Sequence, residues 1–356
     1  MKKILLVDDS ALMRRVLHDI INSDGRFSVE DEATNGVEAL ALMQSKAYDG
    51  VVLDVNMPKM NGIELLKEMK TRGIKAKVLM ASTATQEGSQ ITLDCLELGA
   101  LDFIHKPDWS YKCKEESFQI GLLNTLEAVC DSKLQEKKAP AVNTVKIVDM
   151  VKKSSKRLSG SRIVAIAVST GGPKALQSVI PFLPAKLDAP VVLVQHMPEG
   201  FTESFAERLN KISEIEVVEG KEGEVIKKGC VYIAKAGYHL NLVKDKNGMK
   251  IHYSQEAYRE GVRPCANYMY ESLSDSPYDE IVSVVMTGMG ADGTEGIKNL
   301  KSSGKPTYVI TQEGDSCVVN GMPRACVRAG LSDATITLNQ IAQEIILRVG
   351  VKSDGC

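Results

Sequence analysis

Three residues in the second half of the chain, Ser169, His196 and Asp292, each follow a short apolar run of strand character. Ser169 ends Arg162-Ile-Val-Ala-Ile-Ala-Val168, His196 ends Val191-Val-Leu-Val-Gln195, and Asp292 lies a few residues past Ile281-Val-Ser-Val-Val-Met286. In an open parallel α/β sheet the carboxyl ends of neighbouring strands face one crevice, where ligands bind. A hydroxyl, an imidazole and a carboxylate delivered there are the parts of a Ser-His-Asp hydrolase. A second set lies in the first half. Asp8 and Asp9 end one apolar run, Asp54 another, Ser82 a third, and Lys106 a fourth, just before Pro107. Clustered carboxylates repel one another unless a hard divalent cation such as Mg²⁺ sits among them. Lys106 and the Ser82 hydroxyl would then neutralise and hydrogen-bond a phosphoryl group carried on Asp54.

The elements that must position these groups alternate regularly. Over residues 1–131 the strand candidates are Ile4–Val7, Phe27–Val29, Val51–Leu53, Lys77–Met80 and Phe103–Ile104, with helical patterns between them such as Leu12, Met13, Val16, Leu17 and Ile20. That alternation predicts a doubly wound parallel sheet. In the second half, Ser169-Thr-Gly-Gly-Pro173 follows its strand and precedes a helix expected over Lys174–Phe182. Two glycines allow a tight turn that exposes the serine, although Ala167 stands where the nucleophile-elbow pattern wants glycine.

Each motif also has a plainer reading. Asp8, Asp9, Asp54 and Ser169 are residue types that cap helices. His239 rivals His196, but its flanks suggest the edge of a hairpin. Gly288-Met-Gly-Ala-Asp-Gly293 matches the dinucleotide fingerprint G-x-G-x-x-G, with Glu313 twenty residues beyond its last glycine. Three features count against it: the motif comes late in the chain, Glu313 is expected to fall beyond its strand end rather than directly at it, and Asp292 reads as a buried carboxylate in a tight glycine loop, which suits the third member of a triad.

Composition sets the frame. The chain has 356 residues, enough for two or three domains, with a formal net charge of −2 that points to no nucleic acid. The longest apolar runs are far too short to span a membrane, and Met1-Lys-Lys runs straight into a strand, so no secretory signal is expected. Eight scattered cysteines, with neither a CxxC pair nor histidine at zinc spacing, read as free thiols in a reducing cytoplasm. From Ser132 to Arg162 nine Lys or Arg stand against Glu136 and Asp149, a basic stretch that reads as a linker. A short amphipathic helix around Val145–Val151 is the alternative there.

The first half resembles the receiver domain of two-component response regulators. The matching text is LLVDDS, Asp54-Val-Asn-Met-Pro-Lys-Met-Asn-Gly62, Met80-Ala-Ser82 and Lys106-Pro107. With Ser169-Thr-Gly-Gly-Pro173, Gln195-His-Met197, Arg263-Pro264, Thr287-Gly-Met-Gly-Ala-Asp-Gly293, Thr311–Ser316 and Asn320-Gly-Met-Pro323, the whole chain is similar to the chemotaxis protein-glutamate methylesterase family. The resemblance implies two doubly wound α/β domains, a flavodoxin-like receiver over 1–131 and a Rossmann-like methylesterase domain over 161–356, joined by the linker 132–160.

The resemblance further implies Ser169, His196 and Asp292 as the catalytic triad, with backbone N–H groups at Thr170 and Met289 holding the oxyanion. Asp54 becomes the phosphoacceptor, Asp8, Asp9, Asp54 and the Asn56 carbonyl the Mg²⁺ pocket, and Ser82, Phe103 and Lys106 the switch. No cofactor is expected for the esterase chemistry. The implied substrates are methylated glutamates, and glutamines, of chemoreceptors, and the implied phosphodonor is a chemotaxis histidine kinase. The resting receiver is expected to restrain the hydrolase until Asp54 is phosphorylated. Arg259 and Arg263 are candidates for steering an acidic receptor surface, or for ordinary surface ion pairs. Asn61 stands where many relatives carry Asp, with little expected consequence.

Overall fold

The structure is a computed structural model that describes residues 1–82, 86–106, 116–132, 160–246 and 248–352. The linker expected over 132–160 lies outside these residues apart from its ends, as do Pro107, Cys113 and Cys356. The chain divides into two compact units, Met1–Leu134 and Gln135–Cys356.

In the first unit, β1 (Lys2–Val7), α1 (Ala11–Ser23), β2 (Phe27–Ala33), α2 (Gly36–Ser45), β3 (Gly50–Asp54), α3 (Gly62–Thr71), β4 (Val78–Ser82), α4 (Gln86–Leu98), β5 (Asp102–His105) and α5 (Glu116–Asp131) alternate as the sequence predicts. All strand pairings are parallel, in the order β2-β1-β3-β4-β5. Chain direction across the sheet reverses between β1 and β3, so Asp8 and Asp54 meet at the switch point where such folds bind ligands. β1, β3 and β4 are buried along most of their length, which explains why they read as unbroken apolar runs rather than alternating ones.

The second unit is built on seven parallel strands in the order β14-β13-β12-β6-β7-β9-β8. The central ones are β6 (Arg162–Val168), β7 (Val191–Gln195) and β12 (Glu280–Val285), flanked by β9 (Cys230–Ile233) and β8 (Glu216–Glu219) on one side and β13 (Thr307–Gln312) and β14 (Ala334–Ile336) on the other. The chain starts in the middle at β6, runs outward through β7, then crosses to β12, so the second switch point lies between β6 and β12. Helices α6 (Gly172–Gln177), α7 (Thr202–Lys211), α8 (Ala266–Glu271), α9 (Thr294–Ser302), α10 (Met322–Arg328) and α11 (Ile341–Val349) accompany the sheet. A separate antiparallel hairpin, β10 (His239–Asp245) with β11 (Gly248–Ser254), begins at His239, as its flanks suggested.

Two expectations are corrected. The helix after Ser169 is not continuous over Lys174–Phe182: α6 stops at Gln177 and a 3₁₀ turn, Ile180–Phe182, follows. Pro181 has no N–H for a helical bond and its ring would clash with the carbonyl four residues back. Glu313 does stand directly at its strand end, since β13 runs to Gln312. That argument against a dinucleotide site therefore fails, and the geometry of Asp292 has to decide the matter.

Candidate functional site

The Ser169 and His196 positions are fixed by strand pairing. Val168 and Gln195 are register partners on β6 and β7, so Ser169 and His196 are the next residue along each strand. The His196 N–H donates to the Val168 carbonyl at 3.2 Å, and the Ser169 N–H donates to the Thr287 carbonyl at 2.9 Å. Gln195, quoted in a motif but given no role from sequence, is buried and bridges the two. Its Nε2 donates to the carbonyls of Ser169 (3.2 Å) and His196 (2.9 Å). Among the described residues, Ser169 and His196 are joined through backbone and Gln195, not by a hydroxyl–imidazole hydrogen bond.

The turn after Ser169 needs its glycines. Gly171 has φ +74°, and a Cβ on Gly172 would lie 2.0 Å from Gln195 Oε1. Gly171, not Ser169, is the cap residue of α6, so the helix-cap reading of the serine is set aside. The neighbouring loop is as tight. A Cβ on Gly288 would lie 2.8 Å from Ser169 Cβ, so the loop carrying Asp292 lies against the serine. The Thr287 hydroxyl donates to the Thr170 carbonyl at 2.9 Å and accepts the Val319 N–H at 3.0 Å, tying three segments together. Thr170 is buried beside Ser169, and Met289, half-buried, follows Gly288.

Asp292 is 2% exposed, and donors fill both of its oxygens. Oδ2 accepts from His196 Nε2 (2.8 Å) and the Ala266 N–H (2.6 Å), while Oδ1 accepts from the Asn267 N–H (3.0 Å) and the Cys265 thiol (2.9 Å). Burial alone would raise its pKa, but the bond and charge of His196, then Cys265 and Ala266, hold it below the ordinary 3.8. A carboxylate that only accepts puts the imidazole proton on Nε2 and leaves Nδ1 as the basic nitrogen. Asn267 Oδ1 accepts the N–H groups of Gly293 (3.0 Å) and Gly296 (2.6 Å), so the glycine loop is held from α8. A loop whose one carboxylate is committed to a histidine is not arranged around a pyrophosphate. Sequence reasoning missed Cys265 and Asn267, because their link to Asp292 runs through a loop return with no local signal.

In the first unit, Asp8 (1% exposed), Asp54 (6%) and Lys106 (6%) are buried together. Lys106 Nζ lies 2.7 Å from Asp54 Oδ1 and 3.0 Å from Asp8 Oδ2. Burial raises the pKa of Asp54, the Lys106 charge only partly offsetting it. Burial works against the charge of Lys106 too, but Asp54 and Asp8 hold its pKa above the ordinary value. One carboxylate oxygen each from Asp8, Asp9 and Asp54 lies within 4.8 Å of the others, Asp9 being exposed. This set of hard oxygens fits a divalent cation of the Mg²⁺ type. Asn56, itself exposed, lies two residues past β3, Ser82 ends β4, and Phe103 is buried on β5 as the register partner of Met80.

The helix-cap reading of these aspartates also falls away. Ser10 caps α1, and Asn61 caps α3 in a reciprocal capping box with Glu64. Gly62 lets α3 start against Asp54, where a Cβ would lie 2.5 Å from the Asp54 carbonyl oxygen.

The described cysteines, 95, 130, 230, 265, 317 and 326, are all free and buried. No helix among the described residues is long and apolar enough to cross a membrane. Arg259 forms a two-pronged ion pair with Glu271 (2.7 and 2.9 Å), and Arg263 stacks 4.5 Å over the Tyr258 ring.

Fold and site together define a two-unit protein in which an acidic receiver pocket accompanies an α/β unit with a Ser, His and Asp at its strand ends. The family models agree: "Response regulator receiver domain" matches residues 4–111 and "CheB methylesterase" matches residues 164–345. The protein-glutamate methylesterase/protein-glutamine glutaminase of Bacillus subtilis (strain 168) is 41% identical over 97% of this chain and 98% of its own. That of Pyrococcus horikoshii is 37% identical over 99% of this chain and 95% of its own. Among solved structures, the Thermotoga maritima CheB methylesterase catalytic domain superposes with a TM-score of 0.51 at 37% identity, covering 53% of this chain and 99% of that one. The chain belongs to the protein-glutamate methylesterase/protein-glutamine glutaminase family of enzymes, with a receiver domain joined to a methylesterase domain.

Proposed function

We propose that the protein hydrolyses glutamate methyl esters, and deamidates glutamines, on chemoreceptors, under the control of phosphorylation at Asp54. The observation that carries the hydrolase reading is the 2.8 Å bond between His196 Nε2, directly past β7, and Asp292 Oδ2, in the loop whose Gly288 lies against Ser169. In this reading Ser169 Oγ attacks the ester carbonyl while His196 Nδ1 takes the hydroxyl proton, the serine contact closing once substrate is bound. Asp292 holds the imidazole and stabilises the imidazolium. Backbone N–H groups at Thr170 and Met289 hold the oxyanion, a contribution worth about 10²-fold or more each. The imidazolium returns its proton to the departing methoxide, releasing methanol. Water, deprotonated by His196, then attacks the acyl-enzyme and frees glutamate and Ser169. With a glutamine substrate the same steps release ammonia.

In the receiver, Asp54 would accept phosphate from a chemotaxis histidine kinase, with Lys106 and the Ser82 hydroxyl on the phosphoryl oxygens. Asp8, Asp9, Asp54 and the Asn56 carbonyl would hold Mg²⁺, which when bound neutralises the crowded negative charge. Ser82 and Phe103 would pass the change to the face formed by β4 and β5. We take the receiver as 1–131, the tether as 132–160 and the hydrolase as 161–356, working in the cytoplasm. A tether of that length keeps two domains at an effective concentration of order millimolar, so even a weak interaction would regulate.

Methanol release from methylated chemoreceptor, with and without a small-molecule phosphodonor plus Mg²⁺, tests the reading. Phosphodonor-stimulated release that vanishes in Ser169→Ala is the expected result. Release by Ser169→Ala equal to wild type would overturn the serine assignment.

A further inference from the structure

Four donors hold Asp292, and one of them is a side chain that the proposed reaction never uses. Cys265 Sγ lies 2.9 Å from Asp292 Oδ1, and the residue is fully buried. An ionised carboxylate can only accept, so the contact is an S–H donor on a carboxylate oxygen. Burial, and then the neighbouring Asp292 charge, push the thiol pKa far above its ordinary 9, so it stays protonated wherever the enzyme works.

The thiol is itself held in place. The Cys265 N–H donates to His239 Nδ1 at 3.2 Å, and His239 Nε2 faces the Ala257 carbonyl at 3.2 Å. Both contacts are satisfied by one form of the ring, the neutral imidazole with its proton on Nε2. Burial lowers the pKa of this fully buried histidine, and its ring packs 4.5 Å from that of Tyr268. His239, the histidine set aside in favour of His196, therefore anchors the backbone from which the thiol reaches Asp292.

The division of donors matters. Two backbone N–H groups, those of Ala266 and Asn267, hold one oxygen each. The remaining donors are His196 on Oδ2 and Cys265 on Oδ1. Without the thiol, Oδ1 would keep one donor and the carboxylate would be freer to turn about its Cβ–Cγ bond, away from the line to His196.

We propose that Cys265 is a positioning residue of the hydrolase, its S–H fixing the Asp292 carboxylate so that Oδ2 stays on His196 Nε2. The proposal rests on the reading of His196 and Asp292 as the catalytic pair, and deepens it.

The test compares Cys265→Ala, Cys265→Val, Cys265→Ser and Ser169→Ala in the full chain, reading methanol release from methylated chemoreceptor across pH, with thermal melting alongside. Cys265→Ala and Cys265→Val should lose about five- to tenfold in kcat with KM unchanged, since a thiol is a weak donor to a charged acceptor. Their acid limb should move to lower pH, because a carboxylate turned off the line to His196 stabilises the imidazolium less. Cys265→Ser, which keeps a donor, should bring back both kcat and the acid limb. If Cys265→Ala proves too unstable to assay, the contrast between Val and Ser carries the test. Val or Ala variants with the wild-type limb and kcat, or a Ser variant no better than Val, would overturn the proposal. Ser169→Ala separates the two failures: if it is active, the site reading fails; if it is inert while Cys265→Ala matches wild type, only the role of Cys265 does.

Discussion

Asp292 is a carboxylate that an amide cannot replace, because donors approach both of its oxygens. In Asp292→Asn the NH₂ group faces either His196 and the Ala266 N–H or Cys265 and the Asn267 N–H, whichever way the amide is turned. Buried donors are then left unpaired at a cost of about 1–3 kcal/mol. The imidazole also loses the acceptor that fixes its tautomer, a defect that lowers kcat by about 10⁴-fold in the serine-protease precedent. Asp292→Asn should therefore fall in denaturant midpoint as well as in methanol release; retention of both would show that the four donors are not what holds this loop. The pH dependence has a definite sign. A carboxylate held below its unfolded value of 3.8 contributes stability that is fully present above that value and lost as pH falls through the lower folded one. Stability curves of wild type and Asp292→Asn should converge only below about pH 4.

Both sheets bring their polar residues together in the same way, by reversing chain direction across the sheet: between β1 and β3 for Asp8 and Asp54, and between β6 and β12 for Ser169 and Asp292. Loops at such points are crowded, and Gly288 shows how tightly. A Cβ there would lie 2.3 Å from Met322 Sδ and 2.8 Å from Ser169 Cβ, whereas one on Gly304 meets nothing within 4 Å despite φ +81°. Gly304→Ala should cost about 1 kcal/mol of stability through its left-handed backbone and leave kcat alone. Gly288→Ala should displace the serine and lower kcat by about 10²-fold, as a misplacement near 1 Å does. Equal kcat values for the two variants would mean that the serine does not depend on this loop. The strands that build both switch points were legible because buried parallel strands are written as unbroken apolar runs, as in Arg162–Val168. Ser169, His196, Asp8 and Lys106 were legible because they stand directly past those runs, and Asp292 because it sits in a glycine loop a few residues further on. The apolar pattern overstates the helix after Ser169, where Pro181 breaks it, and it does not show that β13 reaches Gln312 and so brings Glu313 to its end. Cys265 and Asn267 were silent because their work depends on a chain return that local periodicity does not encode, and Gln195 because its side chain bridges two strands whose pairing the sequence does not state.

At the scale of the whole chain, one buried residue links stability to control. Asp54 is 6% exposed, shares Lys106 with Asp8, and has its pKa raised by burial. An acid whose folded pKa exceeds its unfolded one destabilises the fold by a cost fully present above the folded value and gone below the unfolded one. Asp54→Asn removes that cost while its amide oxygen can still accept from Lys106 and from the Val55 N–H, which donates to Asp54 Oδ1 at 2.7 Å. The receiver unit of Asp54→Asn should therefore melt higher than wild type at pH 7, with the advantage shrinking as acid protonates Asp54 in the wild type. Added Mg²⁺ should narrow the gap from the other side, since a cation bound among Asp8, Asp9 and Asp54 stabilises the wild type by mass action and finds one carboxylate fewer in the variant. The same variant should show no phosphodonor stimulation of methanol release, because an amide forms no acyl phosphate there. A substitution that strengthens the receiver yet uncouples it separates regulation from folding, which a merely damaged receiver would not do. A lower melting point at pH 7, or a gap that widens in acid, would mean that the Lys106 ion pair outweighs the burial of Asp54.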